Sequence, residues 1–269
     1  MKFWTVLQEP LFQAVLVENG NIIKRIPEIP PNTPVRRVGC IAKYKDKLII
    51  GKRNSLEIWD FDGKELLQTL YSPLIYGLHE INQYQDDIII CCTTIDGIFR
   101  LDLEGNVKWK WFAHQHGFCP DTKLLDDPNW QTIQLTQSIS PPNSSHINSC
   151  RVHGDTVIAS LMYNKTAIEI KIGEQGYTKL IELPESHGLH GTIRVNNELC
   201  YATMDRIVLG KKVIDYNYAT NEGYLWVKRI VEHDDKIFFS HESGISYVFK
   251  NKKDKVYDIP LPRPFGIVF

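Results

Sequence analysis

Val17-Glu18-Asn19-Gly20-Asn21-Ile22, Phe61-Asp62-Gly63-Lys64-Glu65-Leu66 and Leu103-Glu104-Gly105-Asn106-Val107 are three copies of one device. In each, an apolar run stops at a short polar turn and a second run begins. Asn-Gly and Asp-Gly supply the positive φ that a tight hairpin needs. Weaker copies follow at Gly173-Glu174-Gln175-Gly176-Tyr177, Leu209-Gly210-Lys211-Lys212-Val213 and Lys252-Lys253-Asp254-Lys255-Val256. With positions 20, 63, 105, 176, 210 and 253 as markers, the intervals are 43, 42, 71, 34 and 43 residues. Between the markers the periodicity is two. Leu48-Ile49-Ile50, Ile88-Ile89-Ile90-Cys91-Cys92, Thr156-Val157-Ile158-Ala159 and Lys236-Ile237-Phe238-Phe239 are β-branched or aromatic runs bounded by Asp, Asn and Gly. No amphipathic helical window competes with them.

A repeat near 42 residues with four strands per unit is what a propeller blade requires. The 71-residue interval contains a polar segment, His114 to Ser145, with Pro120, Pro128, Pro141 and Pro142. Removing its 32 residues leaves 39, close to the period. The expected fold is therefore all-β, a single six-bladed β-propeller over 1–269 with an insertion at 114–145. Met1–Leu7 resembles a second strand and Phe265–Phe269 an innermost one. The two ends together complete one blade, which closes the ring and leaves no sheet edge open.

Composition narrows the function classes. The 269 residues carry 31 basic and 32 acidic side chains, a net charge of −1. A near-neutral chain lacks the basic surplus of a general nucleic-acid binder. No run approaches the roughly 18 apolar residues of a membrane span. The N-terminal Met1–Glu9 meets an acid too early for a signal peptide. The six cysteines have no CxxC spacing and read as buried thiols, so a cytoplasmic setting is expected.

Nine histidines stand out. Innermost strands are expected at Gly77-Leu78-His79-Glu80-Ile81, Ser145-His146-Ile147-Asn148 and Gly188-Leu189-His190-Gly191-Thr192. Their turns are expected at Asp86-Asp87, His153-Gly154 and Asn197-Glu198. Each histidine then falls eight residues before the second turn residue. Alternation points equivalent positions the same way, so His79, His146 and His190 are expected to converge on the channel axis. Three neutral imidazoles with an open position suit a divalent metal, zinc foremost. They equally suit metal-free acid–base or nucleophilic chemistry, or they simply hydrate the channel.

Other candidates surround them. Arg37 of the Arg36-Arg37 pair, or Arg229 of Lys228-Arg229, would orient an anion. Alternation predicts that only one of each pair faces inward. Arg263 precedes the last strand. His241 is the preferred additional base, with Asp96, Tyr163, Asn164, Asp205, Arg206 and Glu242 on the same rim. His114 and His116 stand at the root of the insertion, which is expected to cover the channel mouth as a lid or binding loop. His153 and His233 are expected at the opposite face. Trp109 and Trp111 fit blade packing or a partner surface.

The turns followed by inner strands of the form His-x-Ile/Asn/Thr resemble six-bladed propellers of the NHL-like type. Among these, amidating lyases hold zinc through axial histidines, which implies His79, His146 and His190 as ligands here. Ser145-His146-Ile147-Asn148-Ser149 is also similar to arylsulfotransferase propellers, which implies a histidine that accepts a sulfuryl group. Strictosidine synthase-like propellers resemble the chain in architecture only. The expected function is a metal-dependent lyase, cyclase or hydrolase acting on a small polar or anionic molecule. The alternatives are a metal-free histidine enzyme and a non-catalytic protein-interaction scaffold.

Overall fold

The computed structural model describes residues 1–7, 13–26, 38–52, 55–72, 74–75, 77–118, 145–183, 188–203, 206–215, 227–261 and 264–269. Their strands form six four-stranded antiparallel sheets, one per blade. Blade two is β4 (Val38–Tyr44), β5 (Lys47–Lys52), β6 (Ser55–Asp60) and β7 (Leu66–Tyr71), in that order from axis to rim. Blade three is β8 (Leu78–Tyr84), β9 (Asp87–Cys92), β10 (Gly97–Leu101) and β11 (Val107–Phe112). Blade four is β12 (Ile147–His153), β13 (Thr156–Leu161), β14 (Thr166–Lys171) and β15 (Tyr177–Glu182). Blade five is β16 (Leu189–Val195), β17 (Glu198–Thr203), β18 (Arg206–Leu209) and β19 (Lys212–Asp215). Blade six is β20 (Arg229–His233), β21 (Lys236–His241), β22 (Gly244–Phe249) and β23 (Lys252–Pro260).

Blade one is built from both chain ends. Its order is β24 (Pro264–Val268), β1 (Lys2–Leu7), β2 (Gln13–Glu18) and β3 (Asn21–Ile26). Trp4 faces Val268 and Leu7 faces Pro264 across the seam. Each innermost strand touches the next around the circle, so the ring is closed. The polar repeats are the turns between third and fourth strands. In blade six that turn lies at Lys250–Asn251, slightly ahead of the marker at 253.

The middle strands explain the apolar runs. All six residues of β9 and the central four of β5 are buried, because a middle strand has another blade on each face. The outermost strands β3 and β7 are mostly exposed or half-buried. Core residues therefore lie between blades rather than at one centre. Blades one, two and three share a continuous cluster that includes Trp4, Ile49 and Phe99. Polar ties repeat the same logic. Tyr44 and Tyr84, at the ends of neighbouring inner strands, donate to Asp86 O at 2.9 Å and Asp155 Oδ1 at 3.2 Å in the next blade. Trp109 and Trp111 donate to Glu174 O and Gln175 O at 2.9 and 3.1 Å, which makes them blade-packing residues. Cys40, Cys91, Cys92, Cys150 and Cys200 are buried and outside any disulfide; Cys119 lies outside the described residues. Among the described residues no helix is long and apolar enough to cross a membrane.

The inner strands pack closely, and Gly39 marks the tightest place. A Cβ there would run into the backbone carbonyl of Leu78 in the next blade. Gly176 has nothing within 4 Å of its Cβ position. Gly39→Ala is thus expected to cost about 1–3 kcal/mol, while Gly176→Ala stays within about 0.5 kcal/mol. Urea denaturation of the two variants checks this.

Candidate functional site

The start of each inner strand lies at one end of the channel, and His79, His146 and His190 all stand there. The strand ends fix their register. Tyr84 pairs with Asp87, His153 with Thr156 and Val195 with Glu198. Five residues before Tyr84, His153 and Val195 come His79, Asn148 and His190. His79 and His190 are therefore equivalent, and the equivalent in blade four is Asn148, not His146. The turns are Gln85-Asp86, Gly154-Asp155 and Asn196-Asn197; the expected turns lie one residue late in blades three and five and one early in blade four, which displaces blade four by two positions.

His146 nevertheless reaches the same place. It precedes β12 with φ +50°, a left-handed conformation uncommon outside glycine. Asp96, buried in the β9–β10 turn, holds it there. Its carboxylate accepts the backbone N–H of Ser145 and, at 3.3 Å, that of Ile147. The amides on both sides of His146 are thereby fixed, and Asp96 is a positioning residue rather than a rim group. The His79 and His146 rings meet edge-on with centroids 5.2 Å apart. Phe265 of β24 lies 5.8 Å from His79 and Tyr163 lies 5.1 Å from His146. Tyr163 is 57% exposed, which puts a phenol at the open side of the pair.

These imidazoles are held neutral. Burial, with His146, His190 and Arg229 adding like charge, pushes His79 well below its ordinary value. Burial lowers His146 to about 4. His190 falls to about 3 through burial, with His146 and Lys228 adding to it. A neutral ring is the form that accepts a proton or binds a metal. Among the described residues, however, no three His, Cys, Asp or Glu side chains are placed to share a metal ion.

One layer deeper sits a group that the sequence pattern did not single out. Glu80, 1% exposed, pairs through Oε1 with Arg229 Nη2 at 2.7 Å and Arg151 Nη2 at 2.9 Å. Its Oε2 accepts the Cys150 N–H at 3.0 Å. Arg229 Nη1 donates to His79 O at 3.4 Å, and Arg151 Nη2 donates to Ile230 O at 3.2 Å. Glu80 directly follows His79 on β8, yet both reach the channel. The ladder shifts register between Leu78 and Glu80, and such a bulge breaks strict alternation. The only sequence signal for Glu80 was a carboxylate on an innermost strand.

Blade six contributes both members of its basic pair. Lys228 and Arg229 are 7% and 4% exposed, contrary to the expectation that one would face out. Lys228 precedes β20, with its N–H bonded to Ser240 O at 2.8 Å, so strand alternation does not bind it. Lys228 Nζ pairs with Glu242 at 3.0 Å. His241 is buried beside them, and protein groups engage both its nitrogens. Nδ1 accepts from Ser243 N–H at 3.3 Å, and Nε2 lies 2.8 Å from Ser246 Oγ, which in turn bonds the Asp258 carboxylate. Burial lowers His241 to about 4 despite Asp258 and Glu242, which favour its charged form. Its place is that of a positioning group, not of a base presented to the channel.

His114 and His116 stand toward the rim. They form a short 3-10 turn, Ala113–His116, after β11. His116 stacks on Trp111 at 4.7 Å and lies 5.8 Å from Tyr177 of β15, between outer strands of blades three and four. His114 lies against Phe112. Arg36, Arg37, His187, Asp205, Arg263 and residues 119–144 of the insertion lie outside the described residues.

Sequence comparison finds no protein family and no curated protein that the chain matches. Solved structures do resemble it. A streptogramin B lyase is 14% identical, with a TM-score of 0.60 over 100% of this chain and 87% of that one. Virginiamycin B lyase from Staphylococcus aureus is 14% identical, with a TM-score of 0.58 over 94% of this chain and 80% of that one. A chain of a nidogen/laminin complex is 10% identical, with a TM-score of 0.62 over 99% and 97%. At these identities the likeness is one of propeller fold.

The depressed histidines link stability to pH. The unfolded chain takes up protons below about 6.5, whereas folded His146 and His190 do not until about 4 and 3. Their stabilising effect is therefore complete above about pH 6.5 and is lost as pH falls toward 4, by about 1.4 kcal/mol per pH unit for each ring. Urea midpoints should drop between pH 7 and pH 5, and the imidazole resonances of His79, His146 and His190 should stay fixed over that range. Resonances that titrate near 6.5 would show that these rings are hydrated.

Proposed function

We propose that the histidine end of the channel is the active site of a lyase-type enzyme acting on a small polar or anionic molecule. The observation that carries this reading is the His79–His146–Tyr163 contact: two uncharged imidazoles beside an exposed phenol, at the open end of a closed ring. In this reading His146 acts as general base and Tyr163, whose ring lies 5.1 Å away, as general acid. In an elimination, His146 takes the proton from a C–H bond and that electron pair forms the new double bond. The leaving group departs with its own pair and takes the Tyr163 proton. Proton return from His146 to Tyr163 through water restores both groups. Burial keeps the His146 ring uncharged, so the base is available at neutral pH. Lys228, paired with Glu242 beside His190 and His241, offers a cation to an anionic substrate.

The similarity to streptogramin and virginiamycin lyases supports an elimination. It does not extend to their substrates. A three-histidine metal site is a poorer match to these side chains, because no three donors among the described residues share a point; no step is assigned to a metal.

The test is a panel of small hydroxy, acyloxy and amino acids, lactones and their phosphate or sulfate esters, followed for the appearance of an unsaturated product. Wild-type protein is expected to turn over at least one compound, at a rate unchanged by chelator and flat from pH 8 to 5. His146→Ala should lose about 10²–10⁴-fold, and Tyr163→Phe less. Activity lost to chelator and restored by zinc, or full activity in His146→Ala, would overturn the assignment. Failure of the whole panel would favour the scaffold reading.

A further inference from the structure

The inner strands end at the opposite mouth of the channel, and a separate cavity of about 330 Å³ opens there. Ile41, Ile81, Val231 and Ile267 supply apolar wall, and Arg151 and Arg229 form part of its lining. A smaller cavity of about 220 Å³ shares Arg151 and Val231 and continues it toward blade five. Glu80 and its two arginines lie between this cavity and the histidines.

We propose that this far cavity is a binding site for a compact oxyanion ligand, a small carboxylate or phosphate carrying a short apolar body. Two guanidiniums share one carboxylate, which leaves an uncompensated positive charge on a layer that is largely buried. The Arg229 side chain is 5% exposed. Its Nε, and that of Arg151, are buried without a hydrogen-bond partner among the described residues. Guanidinium presents five donors in a rigid fork, and a planar oxyanion satisfies two at once. Burial lowers Arg151, the Glu80 carboxylate opposes this and the facing Arg229 charge adds to it, so a second anion would offset the positive charge that Glu80 alone leaves.

Glu232, the acid lining this mouth, is already paired with Lys250, and Lys43 Nζ donates to Phe269 O at 3.1 Å. His233 lies flat on Phe269, 3.9 Å between centroids. The cavity is at the small end of ligand sites, which selects a metabolite-sized anion over a nucleotide. Arg229 is common to this site and the histidine end, but anion binding here does not rest on that end being catalytic.

The experiment titrates the full chain with inorganic phosphate and, in a second arm, with butyrate, each at constant ionic strength set with chloride. Saturable binding by calorimetry is expected, with shifts of the Arg151 and Arg229 Nε–H resonances in the wild-type protein. Preference for butyrate would assign a carboxylate ligand, and preference for phosphate a phosphorylated one. Arg151→Gln should weaken binding roughly tenfold or more, whereas His146→Ala should leave it unchanged. The Nε–H shifts need no variant, so the proposal stays testable even where Arg151→Gln folds poorly. Non-saturable responses to both anions, or Nε–H resonances that do not move, would overturn it.

Discussion

A single buried carboxylate ties three blades together across the channel. Glu80 comes from blade three, Arg151 from blade four and Arg229 from blade six. Each arginine also donates to a main-chain carbonyl of another blade, His79 O or Ile230 O. A propeller otherwise holds its blades by contacts between neighbours around the ring. Here a polar layer near the axis joins blades that are not adjacent. Removing one charge from such a layer leaves the others buried and uncompensated, which costs far more than a surface ion pair is worth.

That layer also divides the channel into two chemical environments. On one side, burial keeps His79, His146 and His190 uncharged, and the positive charge of Arg229 reinforces this at His79. On the other, the same arginine and Arg151 line a cavity with surplus positive charge. Reactive neutral bases and an anion-attracting surface thus share one structural element. Asp96 makes a similar contribution on a smaller scale: it bonds the amides flanking His146 and so steers a side chain that its own strand register would not have delivered.

The blades were legible because their cause is local. Asn-Gly and Asp-Gly turns and doubly buried middle strands write themselves into consecutive residues, and the unpaired strand character of Met1–Leu7 and Phe265–Phe269 pointed to closure. His79 and His190 were legible for the same reason, since both lie five residues before an inner strand's last paired residue. His146 was assigned to the right place by the wrong register, because its turn begins at Gly154 rather than His153. Glu80 and Arg151 stayed hidden because their partners are distant in sequence and meet only across the axis. Bulges hid more: the slip between Leu78 and Glu80 lets two neighbours face the channel, and Lys228 lies just outside the strand whose alternation was applied to it. His241 was visible as a histidine on the rim, but its engagement by Ser243 and Ser246 depends on a turn and a neighbouring strand.

The most direct measurement is the urea stability of Glu80→Gln at pH 7, chosen over guanidinium chloride because salt screens charge. The isosteric change keeps shape and removes only the charge that two arginines share. A loss of about 3–5 kcal/mol, or failure to fold, is the predicted result. A folded variant within about 0.5 kcal/mol of the wild type would contradict the view that this carboxylate holds the blades together.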